Sequence, residues 1–117
     1  MHNFKNLIIW QKGIELVTEI YLLSNPYPKE EIFGLTSQTR RAAVSIPLNI
    51  SEGSAKSSNK DFARFLEMSI GSSNELETSL IIARNLAFID DKTLFEYQQK
   101  ITDLRKMIFK FKESLDS

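Results

Sequence analysis

The sequence has no cysteine, a single histidine, three prolines and four glycines in 117 residues. Lack of cysteine removes disulfides, thiolate nucleophiles and every Cys-bearing zinc or iron–sulfur site, and suits a reducing cytoplasm. The lone His2 stands beside the initiator Met and is expected as a mobile terminal residue, so His-centred hydrolase and metal chemistries lack their central group. Apolar runs such as Leu7-Ile8-Ile9-Trp10 and Leu80-Ile81-Ile82-Ala83 stop at four residues, against the ~20 needed to cross a bilayer. A basic segment followed by an apolar stretch and a small-residue cleavage site is also missing, and the expectation is a soluble, unexported, cytoplasmic protein. No charge of one sign prevails: fifteen basic and fifteen acidic residues cancel. No whole-molecule field therefore draws the chain to nucleic acid or an anionic membrane, and any such binding must come from a local patch.

What is present is enough for one core. With 42% hydrophobic and 26% charged residues the chain lies outside the ranges of disordered and low-complexity proteins. A chain of this size buries roughly two-thirds of its unfolded surface. Neither a linker nor a repeat divides it, so residues 1–117 form a single domain.

The apolar spacing is helical throughout. Over 7–24 one stripe joins Leu7, Trp10, Ile14, Val17 and Tyr21, and a second joins Ile9, Leu16, Ile20 and Leu23. Asn25-Pro26-Tyr27-Pro28 ends that helix. A second starts between Glu30 and Leu35 and runs to about Glu52, with a smaller, more polar core stripe of Ile32, Leu35, Thr39, Ala42, Ile46, Asn49 and Gly53. Gly53 reads as its C-cap. Ser58 with Asp61 resembles a capping box for a third helix of about 30 residues, along Phe62, Leu66, Ser69, Ser73, Leu76, Leu80, Ala83 and Ala87. Asp90 is the expected N-cap of the fourth, where Leu94, Tyr97, Ile101, Leu104, Ile108, Phe111 and Leu115 fill consecutive heptad positions. Long helices joined by short turns predict an all-α, up-down-up-down antiparallel four-helix bundle, a rod about 45 Å long.

Chemistry concentrates in the segment from Gln38 to Gly53, QTRRAAVSIPLNISEG. Pro47 falls inside a helix, where it is expected to make a kink that either wraps the helix around its neighbours or serves function by exposing a carbonyl or aiming Asn49 at a partner. Asn49 and Glu52 lie on or beside the apolar stripe, and with Glu75 and Arg84 they are expected in an internal polar network that fixes helix register. Resolved into blocks, residues 1–37, 38–64, 65–91 and 92–117 carry −1, +3, −4 and +2. Arg40, Arg41, Lys56, Lys60 and Arg64 supply the basic block and form a candidate phosphate-binding patch. Glu67, Glu75 and Glu77 lack the Glu-x-x-His partner of carboxylate metal bundles. No catalytic residue, metal or cofactor is predicted. Phe65, Ile82, Leu86, Phe88, Phe95 and Phe109 fall off the principal stripes, a surplus that points to self-association.

The order of Trp10-Gln11-Lys12, Tyr27-Pro28-Lys29-Glu30-Glu31 before Gly34-Leu35, Gln38-x-Arg40-Arg41-Ala42, Ser45-Ile46-Pro47-x-Asn49-Ile50-x-Glu52-Gly53, Phe62-x-x-Phe65-Leu66 and Gly71-Ser72-x-x-Glu75-Leu76 resembles the 23S rRNA intervening-sequence proteins. The resemblance covers nearly the whole chain. It implies a bacterial four-helix bundle without established enzymatic activity and, from related members, a homopentamer. A related protein of diversity-generating retroelements, their accessory variability determinant, is a strongly basic pentamer that binds nucleic acid and a reverse transcriptase, whereas this chain is neutral. Two functions follow as expectations: a non-enzymatic oligomer that associates with RNA or a ribonucleoprotein through the basic block, and a protein-binding scaffold with no nucleic-acid contact.

Overall fold

Ser58 and Asp90 start the two longest helices as capping residues. Ser58 Oγ accepts the Asp61 N–H at 3.1 Å and Asp90 Oδ1 accepts the Thr93 N–H at 2.8 Å, each satisfying a donor that the first helical turn leaves unpaired. The computed structural model describes residues 2–115. Its four helices are α1 (Ile8–Ser24), α2 (Leu35–Ser54), α3 (Asn59–Asn85) and α4 (Asp91–Ser114), and among the described residues there is no strand. Short 3₁₀ turns, Phe4–Asn6 and Lys29–Glu31, precede α1 and α2.

Consecutive helices pack side by side, as an up-down-up-down bundle requires. The α2–α3 pairing is the most extensive, while α1 and α4 meet only lightly. The body measures 45 × 24 × 20 Å, the rod expected from helix length. Ile9, Leu16 and Ile20 of α1, Ile46 and Ile50 of α2, Phe62, Leu66, Leu76 and Leu80 of α3, and Leu94, Ile101, Leu104 and Ile108 of α4 form one core. At roughly 1.5–3 kcal/mol per buried large side chain, this stripe dominates the packing energy.

Pro47 does not divide α2, which runs unbroken through it. The backbone near it is instead stitched by side chains. Ser69 Oγ donates across from α3 to the Ile46 carbonyl at 2.9 Å, and Asn49 Nδ2 donates to the Ser45 carbonyl at 2.9 Å. On the α1 side, a Cβ placed on Gly13 would stand 3.2 Å from the Pro47 Cβ, so the glycine lets α1 lie against the proline ring.

The structure corrects several sequence expectations. Gly53 is not a C-cap: α2 continues to Ser54, and Gly53 is buried. Ile32 leaves the core stripe, because the chain forms a 3₁₀ turn before α2 and exposes that side chain. In α1 the stripe of Ile9, Leu16 and Ile20 is the buried one, whereas Ile14 and Tyr21 are exposed. Ala87 lies beyond the end of α3 with φ 65°. There it closes a Schellman turn in which the Phe88 N–H donates to the Ala83 carbonyl at 2.8 Å and the Ala87 N–H to Arg84 at 2.9 Å. His2 does not stand free; its ring meets Phe62 and Phe111 edge-on at 5.2 and 5.8 Å.

Candidate functional site

The five residues of the candidate phosphate patch fall in two places. Arg40 and Arg41 sit early in α2, whereas Lys56 lies in the α2–α3 turn, Lys60 in the first turn of α3 and Arg64 in its second. Fifteen residues of helix and turn separate Arg41 from Lys56, about 22 Å at helical rise. Neighbours in sequence also point apart on a helix, by about 100°. Arg40 turns inward, donating from Nε to Ser24 Oγ at 2.9 Å and from an Nη to the Tyr21 carbonyl at 3.3 Å, with its guanidinium over the Tyr21 ring at 4.6 Å. It joins α2 to the end of α1. Arg41 faces out.

At the α2–α3 turn the cations gather around an aromatic ring. Lys56 Nζ lies 4.9 Å and the Arg64 guanidinium 5.7 Å from the centre of Phe65. Such cation–π contacts are worth about 0.5–1 kcal/mol at exposed positions and hold both groups at the same end of the rod. Arg64 shares its charge with Asp61 at 3.7 Å across an exposed pair. Among the described residues, Lys56 and Lys60 have no carboxylate within ion-pair distance. Up-down winding brings the starts of α1 and α3 together with the ends of α2 and α4 here. Lys5, Lys110 and Lys112 therefore join this pole, as do Glu52, Asp61, Glu67 and Glu113, while Glu30, Glu31, Asp90, Asp91 and Glu96 lie toward the other with Lys29, Arg84 and Lys92.

The expected internal network of Asn49, Glu52, Glu75 and Arg84 is not assembled. Asn49 bonds within its own helix, Glu52 and Glu75 are exposed, and Arg84 pairs with Asp91 at 3.0 Å across the α3–α4 turn. A different set fixes helix register. Arg105 of α4 donates to Glu77 Oε1 at 2.7 Å and to Ser73 Oγ at 3.0 Å, and Gln98 donates to the other Glu77 oxygen at 3.2 Å. Lys100 bonds to Glu19, tying α4 to α1, and that bond raises the Lys100 pKa. Burial first, then the Glu19 charge, raises the neighbouring Tyr97. These partners lie tens of residues apart, and only facing polar positions beside the apolar stripes of α1, α3 and α4 hint at them.

Arg41 and Glu75 line a groove of about 440 Å³ on the outer face of α2 and α3, with Phe33, Gln38 and Ser45 around it. Phe33 is 95% exposed. Among the described residues, no three His, Cys, Asp or Glu side chains are grouped to hold a metal ion. No helix among them is long and apolar enough to cross a membrane.

The model of the family described as 23S rRNA-intervening sequence protein matches residues 5–110. The chain belongs to that family. Among solved structures, it is similar to a protein of unknown function from the S23 ribosomal protein family of Bacteroides thetaiotaomicron. The two share 21% identity with a TM-score of 0.82, over 91% of this chain and 96% of the other. That likeness speaks for the fold. Nothing among curated proteins matches the sequence. The segments that resemble the 23S rRNA-intervening sequence proteins divide by role in this structure. Ile46, Ile50, Gly53, Phe62, Leu66 and Leu76 are interior, whereas Gln38, Arg41, Glu52, Gly71 and Glu75 share the outer α2/α3 face.

Proposed function

We propose that this member of the 23S rRNA-intervening sequence protein family is a non-enzymatic, self-assembling helical bundle of the cytoplasm. In this reading it associates with RNA or a ribonucleoprotein through the pole formed by Lys56, Lys60 and Arg64. The observation that carries the reading is the gathering of Lys56 and Arg64 around Phe65, with Lys60 one helical turn before Arg64 and with Lys56 and Lys60 free of carboxylates among the described residues. Cations so placed suit phosphate oxygens, and an aromatic beside a guanidinium plane suits an unstacked base. Arg40 drops out of the phosphate set because its guanidinium is already used within the bundle. Arg41 stays in it as a separate, outlying contact. The neutral total charge fits a local pole, and a five-membered ring, which the family resemblance implies, would repeat that pole around its axis.

The test is fluorescence anisotropy of a labelled single-stranded RNA across a salt series. Binding at low salt that weakens linearly on a log–log plot is expected, with the Lys56→Ala/Lys60→Ala/Arg64→Ala variant losing roughly two to three units of slope. Binding that is absent at low salt, or insensitive to salt, overturns the reading. The exposed Phe33 beside Arg41 and Glu75 favours a second reading, a scaffold for another polypeptide. A partner retained from nuclease-treated lysate, with no affinity for RNA, would favour that one.

A further inference from the structure

Gly71 lies in the middle of α3, where glycine costs about 1 kcal/mol relative to alanine. The other three glycines have a neighbour that explains them: Gly13 meets Pro47, Gly34 meets Glu31, and Gly53 meets Phe62 and Phe65. A Cβ on Gly71 would meet nothing within 4 Å. The fold itself thus gives no reason for a glycine at this point, whereas a close approach by another chain does. Gly71 also shares an outward stripe with Met68, Glu75, Thr78 and Ile82, at heptad spacing on the side of α3 away from the core. Met68 is 50% and Ile82 43% exposed, and Leu48 stands exposed on the adjoining edge of α2.

The geometry points to this α2/α3 face, centred on Gly71 and Glu75, as the seat for the outer edge of α4 from a second copy of this chain. The inference rests on the self-assembly reading above and names its surfaces. The chain carries a matching edge of its own: Phe95 and Phe109, 64% and 50% exposed, bracket Thr102 on the outside of α4. Met68 and Ile82 are fourteen residues apart, as are Phe95 and Phe109. Both pairs span about 21 Å of helix, so the two large apolar groups of one edge meet the two of the other. The charges match as well. Among the described residues Glu75 on one face and Lys106 on the other have no ion-pair partner. Lys106, on the same side of α4 as Phe95 and Phe109, can meet Glu75 at the middle of the face. Gly71 lets α4 approach the α3 backbone between these contacts. Because the two faces are different patches of one chain, the contact is head-to-tail, and repetition closes a ring or extends a filament.

Sedimentation velocity of the full chain across micromolar concentrations tests this. Gly71→Trp is expected to keep the helical spectrum and thermal midpoint of a monomer, since space is open there, and to abolish assembly. Glu75→Lys and Lys106→Glu are each expected to weaken association by on the order of tenfold, and the double variant to recover most of the loss. Assembly that persists in folded Gly71→Trp, or a double variant no tighter than the singles, overturns the assigned faces while self-assembly stands. A monomeric wild-type chain overturns both.

Discussion

Gly53 of α2 and Phe65 of α3 approach so closely that a Cβ on the glycine would stand 2.7 Å from the Cβ of Phe65 and 2.8 Å from Cδ1 of Phe62. Contact at this range sets how tightly α2 and α3 close just before the turn that carries the basic pole. Alanine is favoured over glycine in a helix by about 1 kcal/mol. Here the clash outweighs that gain, because Phe62 is fully buried and the Phe65 Cβ is fixed to its backbone. Gly53→Ala is expected to lower stability by about 1–3 kcal/mol, the usual cost of overpacking. A urea midpoint equal to or above wild type would show that the α2–α3 contact relaxes freely.

The opposite sign is expected at Ala87. Its φ of 65° places a Cβ in the left-handed region that closes the Schellman turn after α3, a conformation in which glycine carries no steric penalty. Ala87→Gly should therefore raise stability by about 0.5–1 kcal/mol, after allowing for the greater entropy glycine brings to the unfolded chain. A fall in the thermal midpoint would mean that the Ala87 methyl contributes packing that outweighs its strain.

The helices were legible because heptad spacing is a local property and survives folding unchanged. Every α4 heptad residue from Leu94 to Leu115 is buried or half-buried, and Ser58 and Asp90 cap their helices as their sequence context implies. Gly53 misled because a glycine followed by serines looks the same whether it ends a helix or admits a neighbouring ring. The two stripes of α1 could not be ranked, since only the placement of α2 and α4 decides which one faces the core. Arg40 and Arg41 illustrate the same limit for the site. Both are charged, yet the helix turns one onto Ser24 and the other to solvent. The candidate network failed for a related reason: closeness to an apolar stripe does not say which charge on the facing helix lies at the same height.

The Arg105–Glu77 pair is expected to be a genuine stabilising contact between α3 and α4. Both side chains are 25% exposed, and Ser73 and Gln98 complete their hydrogen bonding. Arg105→Ala and Glu77→Ala should each cost about 1–3 kcal/mol, with a coupling near 1 kcal/mol in a double-mutant cycle. By contrast, Arg64 and Asp61 form an exposed pair at 3.7 Å, of a kind worth only about 0–1 kcal/mol. Arg64→Ala, which also gives up the contact with the Phe65 ring, should cost no more than about 1 kcal/mol, so the variant stays folded where RNA association is measured. A cycle with no coupling at Arg105 and Glu77 would reduce that pair to surface decoration.

Asp90 gives the fold a pH dependence on the acid side. Hydrogen bonds from the Thr93 side chain and then the Thr93 backbone hold its carboxyl below the ordinary carboxylate value. A group whose pKa is lowered by folding contributes stability in full above the unfolded value, and loses it as pH falls through the folded value. Asparagine accepts the same Thr93 N–H but does not titrate in this range, so Asp90→Asn retains the cap and removes the dependence. The wild-type thermal midpoint should exceed that of Asp90→Asn at neutral pH, and the gap should narrow as pH drops below about 4. Repeating the series in salt separates the helix-dipole part of the effect, which is screened, from the short hydrogen bonds, which are not. A gap that stays constant from neutral to acid pH would show that the Asp90 charge contributes nothing to the start of α4.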